Sequence, residues 1–134
     1  MALTADRDTP ERDGVDFSFP VAAATKIYAG ALVALNAAGD AVPGATATTL
    51  TAVGRADEQV DNTGAAGDKV VAVRKGVFRF GNSAAGDAIT KAEIGADAYI
   101  VDDETVAGTD GTGTRSVAGK IVDVDADGVW VEIA

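Results

Sequence analysis

The sequence predicts an all-β protein: a small barrel or sandwich of short strands, with one short helical turn and a flexible N-terminal arm. Three observations carry this. Hydrophobic types make up 47% of the 134 residues, yet Ala supplies close to half of them and Leu very few. Small and β-branched side chains suit pleated sheets more than Leu-stitched helix bundles. Apolar runs recur at short spacing between Gly, Asp and Asn clusters. The length fits one compact domain with one core and excludes a multidomain enzyme.

Residues 1–20 are read as the arm, partly disordered when free, and residues 21–134 as the barrel domain. Met1 to Asp13 mixes charges and has almost no bulky apolar residue except Leu3, so it cannot offset its ordering entropy alone. Val15, Phe17 and Phe19 then alternate with Asp16 and Ser18, the period of a half-buried strand, until Pro20 ends it. This segment is assigned to a partner, with the first strand of the barrel as the alternative.

Further strands are expected at Ala31 to Leu35, Leu50 to Ala56, Lys69 to Arg74, Val77 to Phe80, Ala98 to Val101, Val117 to Val124 and Val129 to Ile133. The tetrapeptide Ala-Ala-Gly-Asp punctuates them at Ala37, Ala65 and Ala84, as tight reversals needing positive φ. Asp127-Gly128 closes a hairpin between Val124 and Val129. Thr90 to Ile94, with Thr90 as N-cap, Glu93 three residues on and Gly95 after it, reads as the helical turn. Thr25-Lys26, Gly30-Ala31 and Gly54-Arg55 recur at the same spacing as Thr90-Lys91, Gly95-Ala96 and Gly119-Lys120. In an Ala/Gly-rich chain such matches also arise by chance, so the letters alone leave a duplication open.

Charge and composition exclude several classes of function. Eleven basic against 21 acidic residues give a net charge of −10, which repels phosphate and anionic lipid, so neither nucleic acid nor a membrane surface is expected as a partner. Met1 to Asp16 lacks the apolar core of a signal peptide, and the longest apolar run, Ala29 to Leu35, is too short to span a bilayer. Cysteine and histidine are both absent, which removes thiolate nucleophiles, Cys/His zinc sites and the usual neutral-pH base. No cofactor, metal site or catalytic residue is expected.

Each suggestive motif has a plainer reading. Asp123-x-Asp125-x-Asp127-Gly128 opens like an EF-hand loop, but Ala134 stands where the bidentate Glu belongs, so a hairpin with solvated carboxylates is preferred. Asp102-Asp103-Glu104 reads as a solvated acidic turn. Gly108 to Arg115 has the glycine content of a phosphate loop without its spacing, and reads as a flexible surface loop. Ser18, Ser83 and Ser116 have no His and no nucleophile elbow, and a convergent carboxylate pair needs a cleft that so small a chain can scarcely build. Phe78 and Phe80 are expected in the core. Trp130 stands off the Val129, Val131, Ile133 face, beside Glu132, and is assigned either to a covered second face or to a subunit interface.

From about Val21 to Ile133 the order of segments resembles the small capsid decoration, or structural cement, proteins of tailed bacteriophages. The segments are Lys26 to Leu35, Ala52 to Arg55, Ala66 to Arg74, Gly76 to Phe78, Ile94 to Val101, Val117 to Val122 and Asp127 to Ile133. The resemblance implies a non-enzymatic β-barrel or β-tulip-like subunit that trimerises on the outer surface of the virion capsid and clamps neighbouring major capsid proteins, after synthesis in a bacterial host cytoplasm. An arm that adds to capsid strands fits Met1 to Pro20 by position and composition. The residues expected to bind the capsid are Leu3, Thr4, Arg7, Val15, Phe17 and Phe19, with Trp130 at the homotrimer interface. The rival readings are an acidic β-module binding cations or carbohydrate through its turns, and a small carboxylate-dependent hydrolase.

Overall fold

The computed structural model describes residues 1–134 and is all-β. Twelve strands follow in chain order: β1 Asp16–Pro20, β2 Thr25–Ile27, β3 Leu32–Leu35, β4 Ala41–Pro43, β5 Thr51–Ala56, β6 Val60–Asn62, β7 Val70–Arg74, β8 Gly76–Asn82, β9 Asp97–Ile100, β10 Thr105–Ala107, β11 Val117–Asp125 and β12 Gly128–Ile133. Single 3-10 turns sit at Ala85–Asp87 and Lys91–Glu93. The second is the expected helical turn. Thr90 caps it, and Glu93 reaches back to the Thr90 N–H at 3.1 Å.

The strands form two units of one design. The first sheet runs β1-β7-β5-β3-β4, and the second runs β8-β12-β11-β9-β10 and closes into a barrel. Substituting strand for strand, the two orders are the same. Closure differs in degree: parallel pairing of β10 with β8 at Val106 and Asn82 seals the second unit, whereas the first stays an open sheet whose ends meet only at an isolated parallel bridge between Val21 and Ala41.

Even the irregularities repeat. In the first unit Val33 faces Gly54 and Ala34 faces Ala52, so β5 bulges at Val53. In the second unit Ala98 faces Gly119 and Tyr99 faces Val117, so β11 bulges at Ala118. The glycines are required there by close approach of the backbone. A Cβ on Gly54 would lie 2.5 Å from the Arg74 carbonyl oxygen, and one on Gly119 would collide with the Glu132 carbonyl. The duplication that the letters left open is therefore built into the sheet registers.

Each unit has its own small core, where the length had suggested one. Val21, Ile27, Val33, Val71 and Val73 centre the first; Phe80, Ile100, Ile121, Val129 and Val131 centre the second. Neither core would be large enough alone by the usual scaling of buried area with size. The solution is that β3 is buried on both faces. Val33 points into the first core, while Leu32 and Ala34, both fully buried, join the second core with Val42, Leu50 and Ala52 beside them. Hydrogen bonds reinforce the seam: the Leu32 N–H donates to the Asp103 carbonyl at 2.8 Å, and the Ser116 hydroxyl donates to the Ala47 carbonyl at 2.6 Å.

Strands read from alternation recur within a residue or two, whereas β2, β4, β6 and β10 were not foreseen. Each is three residues long and too short to show a period. β2 pairs with β6 as a flap whose Ile27 and Val60 cover the first core, and Asn62 fastens it. The Asn62 amide donates to the carbonyls of Val21, Ala22 and Ala65 at 3.0–3.1 Å. The second unit replaces this flap with the 3-10 turns and a short β11–β12 hairpin.

Candidate functional site

The residues assigned to the arm divide at Val15. Residues 1–14 are exposed and have no regular structure, and Leu3, Thr4 and Arg7 stand among them; Arg7 reaches only Thr9, at 2.9 Å. Asp16–Pro20, drawn in the sequence with the arm, is instead strand β1 of the first unit. It pairs antiparallel with β7, Phe17 opposite Val73 and Phe19 opposite Val71. The boundary at residue 20 thus moves to about residue 15, because the apolar face of this segment finds its partner within its own chain. The alternation itself was right: Val15, Phe17 and Phe19 are half-buried and Asp16, Ser18 and Pro20 exposed.

β1 has a ladder partner on one side only. Beyond β7 it ends the sheet, and its other edge is touched only past its end, by the Val21–Ala41 bridge. Such an edge presents unpaired N–H and C=O groups, the feature on which strand addition works. The outward backbone of β1 and the exposed arm leading into it make one continuous surface. Basic groups frame it. The Arg12 guanidinium lies 4.7 Å from the centroid of the Phe17 ring, and Lys75 Nζ lies 5.1 Å from it. The Phe17 and Phe19 rings stack at 6.3 Å. Neither Arg12 nor Lys75 was singled out in the sequence. Arg12 sits five residues before the ring it covers, which offers no periodic signal, and Lys75 is brought there by the β1–β7 pairing.

Trp130 is on the outer face of β12, as alternation required, and is half-buried there by neighbours from its own chain. Its indole N–H donates to Asp125 Oδ2 at 2.9 Å, and Arg79 lies 5.7 Å from the ring. Phe80 is buried, and Phe78 packs against the second core with Arg55 at 4.8 Å from its centroid.

The acidic hairpin separates its carboxylates rather than converging them. Asp123 accepts from Lys91 Nζ at 3.0 Å and from the Val124 N–H at 2.8 Å. Asp125 accepts from Trp130 and from the N–H groups of Asp127 and Gly128. These hydrogen bonds hold both carboxyls below their ordinary range, Lys91 being the largest influence on Asp123 and Trp130 on Asp125. Asp127 stands 3.8 Å from Arg79. The turn residues are Ala126 and Asp127; Gly128 already belongs to β12, where it pairs with Asp125.

Asp102 caps its own turn by accepting from the Glu104 N–H at 2.9 Å. The glycine-rich loop expected to be loose is tied down: Asp87 accepts from Thr109 at 2.6 Å and from Arg115 at 3.3 Å, with its pKa lowered by those two bonds. Two of the Ala-Ala-Gly-Asp turns use glycine at positive φ, Gly39 and Gly67, whereas the third is the 3-10 turn, with Ala85 at φ 53°. Ser83 donates to the Val106 carbonyl and Ser116 to that of Ala47, while Ser18 is exposed on β1. The shallow cleft with room for about 480 Å³ between β5 and β11 is lined by Leu50, Ala52, Val117 and Ile133, with Arg115 at its rim.

No family model, curated protein or solved structure matches this chain.

Proposed function

We propose that the protein is a non-enzymatic decoration protein of a tailed-phage head, binding the outer surface of the capsid and stabilising contacts between major capsid proteins. One observation carries the reading: an exposed 14-residue arm runs straight into β1, whose outer edge has no ladder partner. A capsid strand laid along that edge gains main-chain hydrogen bonds, and Leu3, Thr4 and Arg7 extend the contact beyond it. The placement of β1 changes the role of Phe17 and Phe19. They hold the edge in position from beneath, and the backbone of Asp16 and Ser18 makes the contact. The resemblance in segment order to cement proteins supports the same reading and adds a homotrimer, in which three linked arms turn modest single-site affinity into slow release.

The test is co-sedimentation with capsid shells lacking the protein, comparing the full chain with one that starts at Gly14. The full chain is expected to pellet with shells and the shortened one to bind more weakly. Equal binding would remove the arm from attachment, and absence of binding by the full chain would overturn the reading.

A further inference from the structure

The seam between the two units joins the outer face of β3 and β5 of the first to the open end of the second. Leu32, Ala34 and Ala52 supply that outer face, and Arg55 extends it to Phe78. In the matched registers their counterparts on the second unit are Asp97, Tyr99, Val117 and Lys120. That second face has no unit laid across it, and only Val117, at its β11 margin, also lines the cleft that parts β11 from Leu50 and Ala52 of the first unit. Tyr99 is half-buried, Val117 is 43% exposed, and Lys120 reaches only Asp97, at 2.6 Å.

The receiving end is equally unmatched on the first unit. Phe78, under Arg55, corresponds by register to Phe17: each faces a fully buried valine, Val131 and Val73 respectively. Ile100 and Ser116 correspond to Leu35 and Thr51, the first half-buried and the second exposed. At Phe17 the guanidinium comes from Arg12 of the arm, standing where Arg55 stands in the seam.

We propose that the outer β9–β11 face of one copy docks on the open end of the first unit of a second copy, repeating between chains the seam that the chain makes within itself. Lys120 then takes the place over Phe17 that Arg12 holds in the single chain, and Tyr99 and Val117 cover Leu35 and Thr51. The occupant is a second copy because the duplication supplies, on one chain, both halves of a contact already made between its own units. Such a contact is heterologous, head to tail, and closes into a ring or runs on according to the rotation between units. This deepens the self-association in the reading above by naming the faces that meet.

The test is sedimentation velocity on the full chain from micromolar to near-millimolar concentration, for the wild type, Val117→Asp, Lys120→Ala and Val77→Asp. Val77 is also 43% exposed but lies on β8, away from the proposed face. Wild type and Val77→Asp are expected to associate alike, with Val117→Asp and Lys120→Ala weakened about tenfold or more in dissociation constant, a factor that one lost interfacial contact commonly accounts for. Lys120 is exposed, so its variant keeps the test sound if Val117→Asp melts early. A wild-type monomer throughout, association unchanged in both face variants, or equal loss in Val77→Asp would each overturn the proposal. Shell binding by a monomer would leave the decoration reading standing while this contact falls.

Discussion

Phe17 and Phe78 occupy one position twice. Each lies opposite a fully buried valine, and each carries a guanidinium over its ring, Arg12 at 4.7 Å and Arg55 at 4.8 Å. The arm therefore covers on the first unit what the first unit covers on the second. It follows that the arm and β1 differ in their value to the fold.

A chain starting at Gly14 loses the Arg12 contact, worth about 0.5–1 kcal/mol at an exposed ring, and should melt within a few degrees of the full chain. A chain starting at Val21 loses the β1 ladder and uncovers Val71 and Val73, with Phe17 and Phe19 worth up to roughly 1.5–3 kcal/mol each at full burial. Its first unit should not fold cooperatively. Circular dichroism melts on the two truncations check this, and a native-like melt of the shorter chain would contradict the placement of β1.

Gly54→Ala and Gly119→Ala should each cost about 1–3 kcal/mol, the usual penalty for forcing a methyl group into close-packed surroundings. At Gly54 a φ of 150° adds backbone strain. Gly86→Ala is the control, since its added Cβ meets nothing within 4 Å. Urea unfolding of the three variants measures the difference.

Asn62→Ala leaves the carbonyls of Val21, Ala22 and Ala65 without their shared donor. A loss of about 1–3 kcal/mol is expected from removing this donor, although the Val21 carbonyl keeps its bond from the Gly67 N–H. Hydrogen exchange should localise that loss to β2 and β6, sparing β8 to β12.

Acid should weaken the second unit through Asp87, Asp123 and Asp125. Their folded pKa values lie below the ordinary 3.8, so the stability they give is fully present above that value and is lost as pH falls through the lowered ones. All three are solvent-accessible, so the effect is modest and screened by salt. Trp130→Phe removes the largest influence on Asp125 and should flatten the acid limb of a melting-temperature profile below about pH 4. An unchanged limb would remove Asp125 from the effect.

Where alternation ran for four residues or more, the sequence was enough to place strands and their buried faces, as at Phe78 and Phe80 or at Val129, Val131 and Ile133. Three-residue strands carry no period, and β4 ends in Pro43, which speaks against a strand. The alternation of Val15, Phe17 and Phe19 marked an apolar face but not its partner, since Val71 and Val73 lie far along the chain. The duplication was legible only in Gly, Lys and Thr spacings. Its strongest match, Phe17 and Phe19 against Phe78 and Phe80, falls a few residues out of step with them and becomes visible only through register. The candidate surface was half legible: the exposed arm could be read from composition, whereas the open edge of β1 is a property of the sheet.

The proposed strengthening of a phage head is tested most directly by the melting temperature of capsid shells lacking the protein, with and without a saturating amount of the purified chain. A shell transition that rises on addition, and rises less with the chain starting at Gly14, is the predicted result. A shell transition that stays where it was while the protein is bound would contradict it.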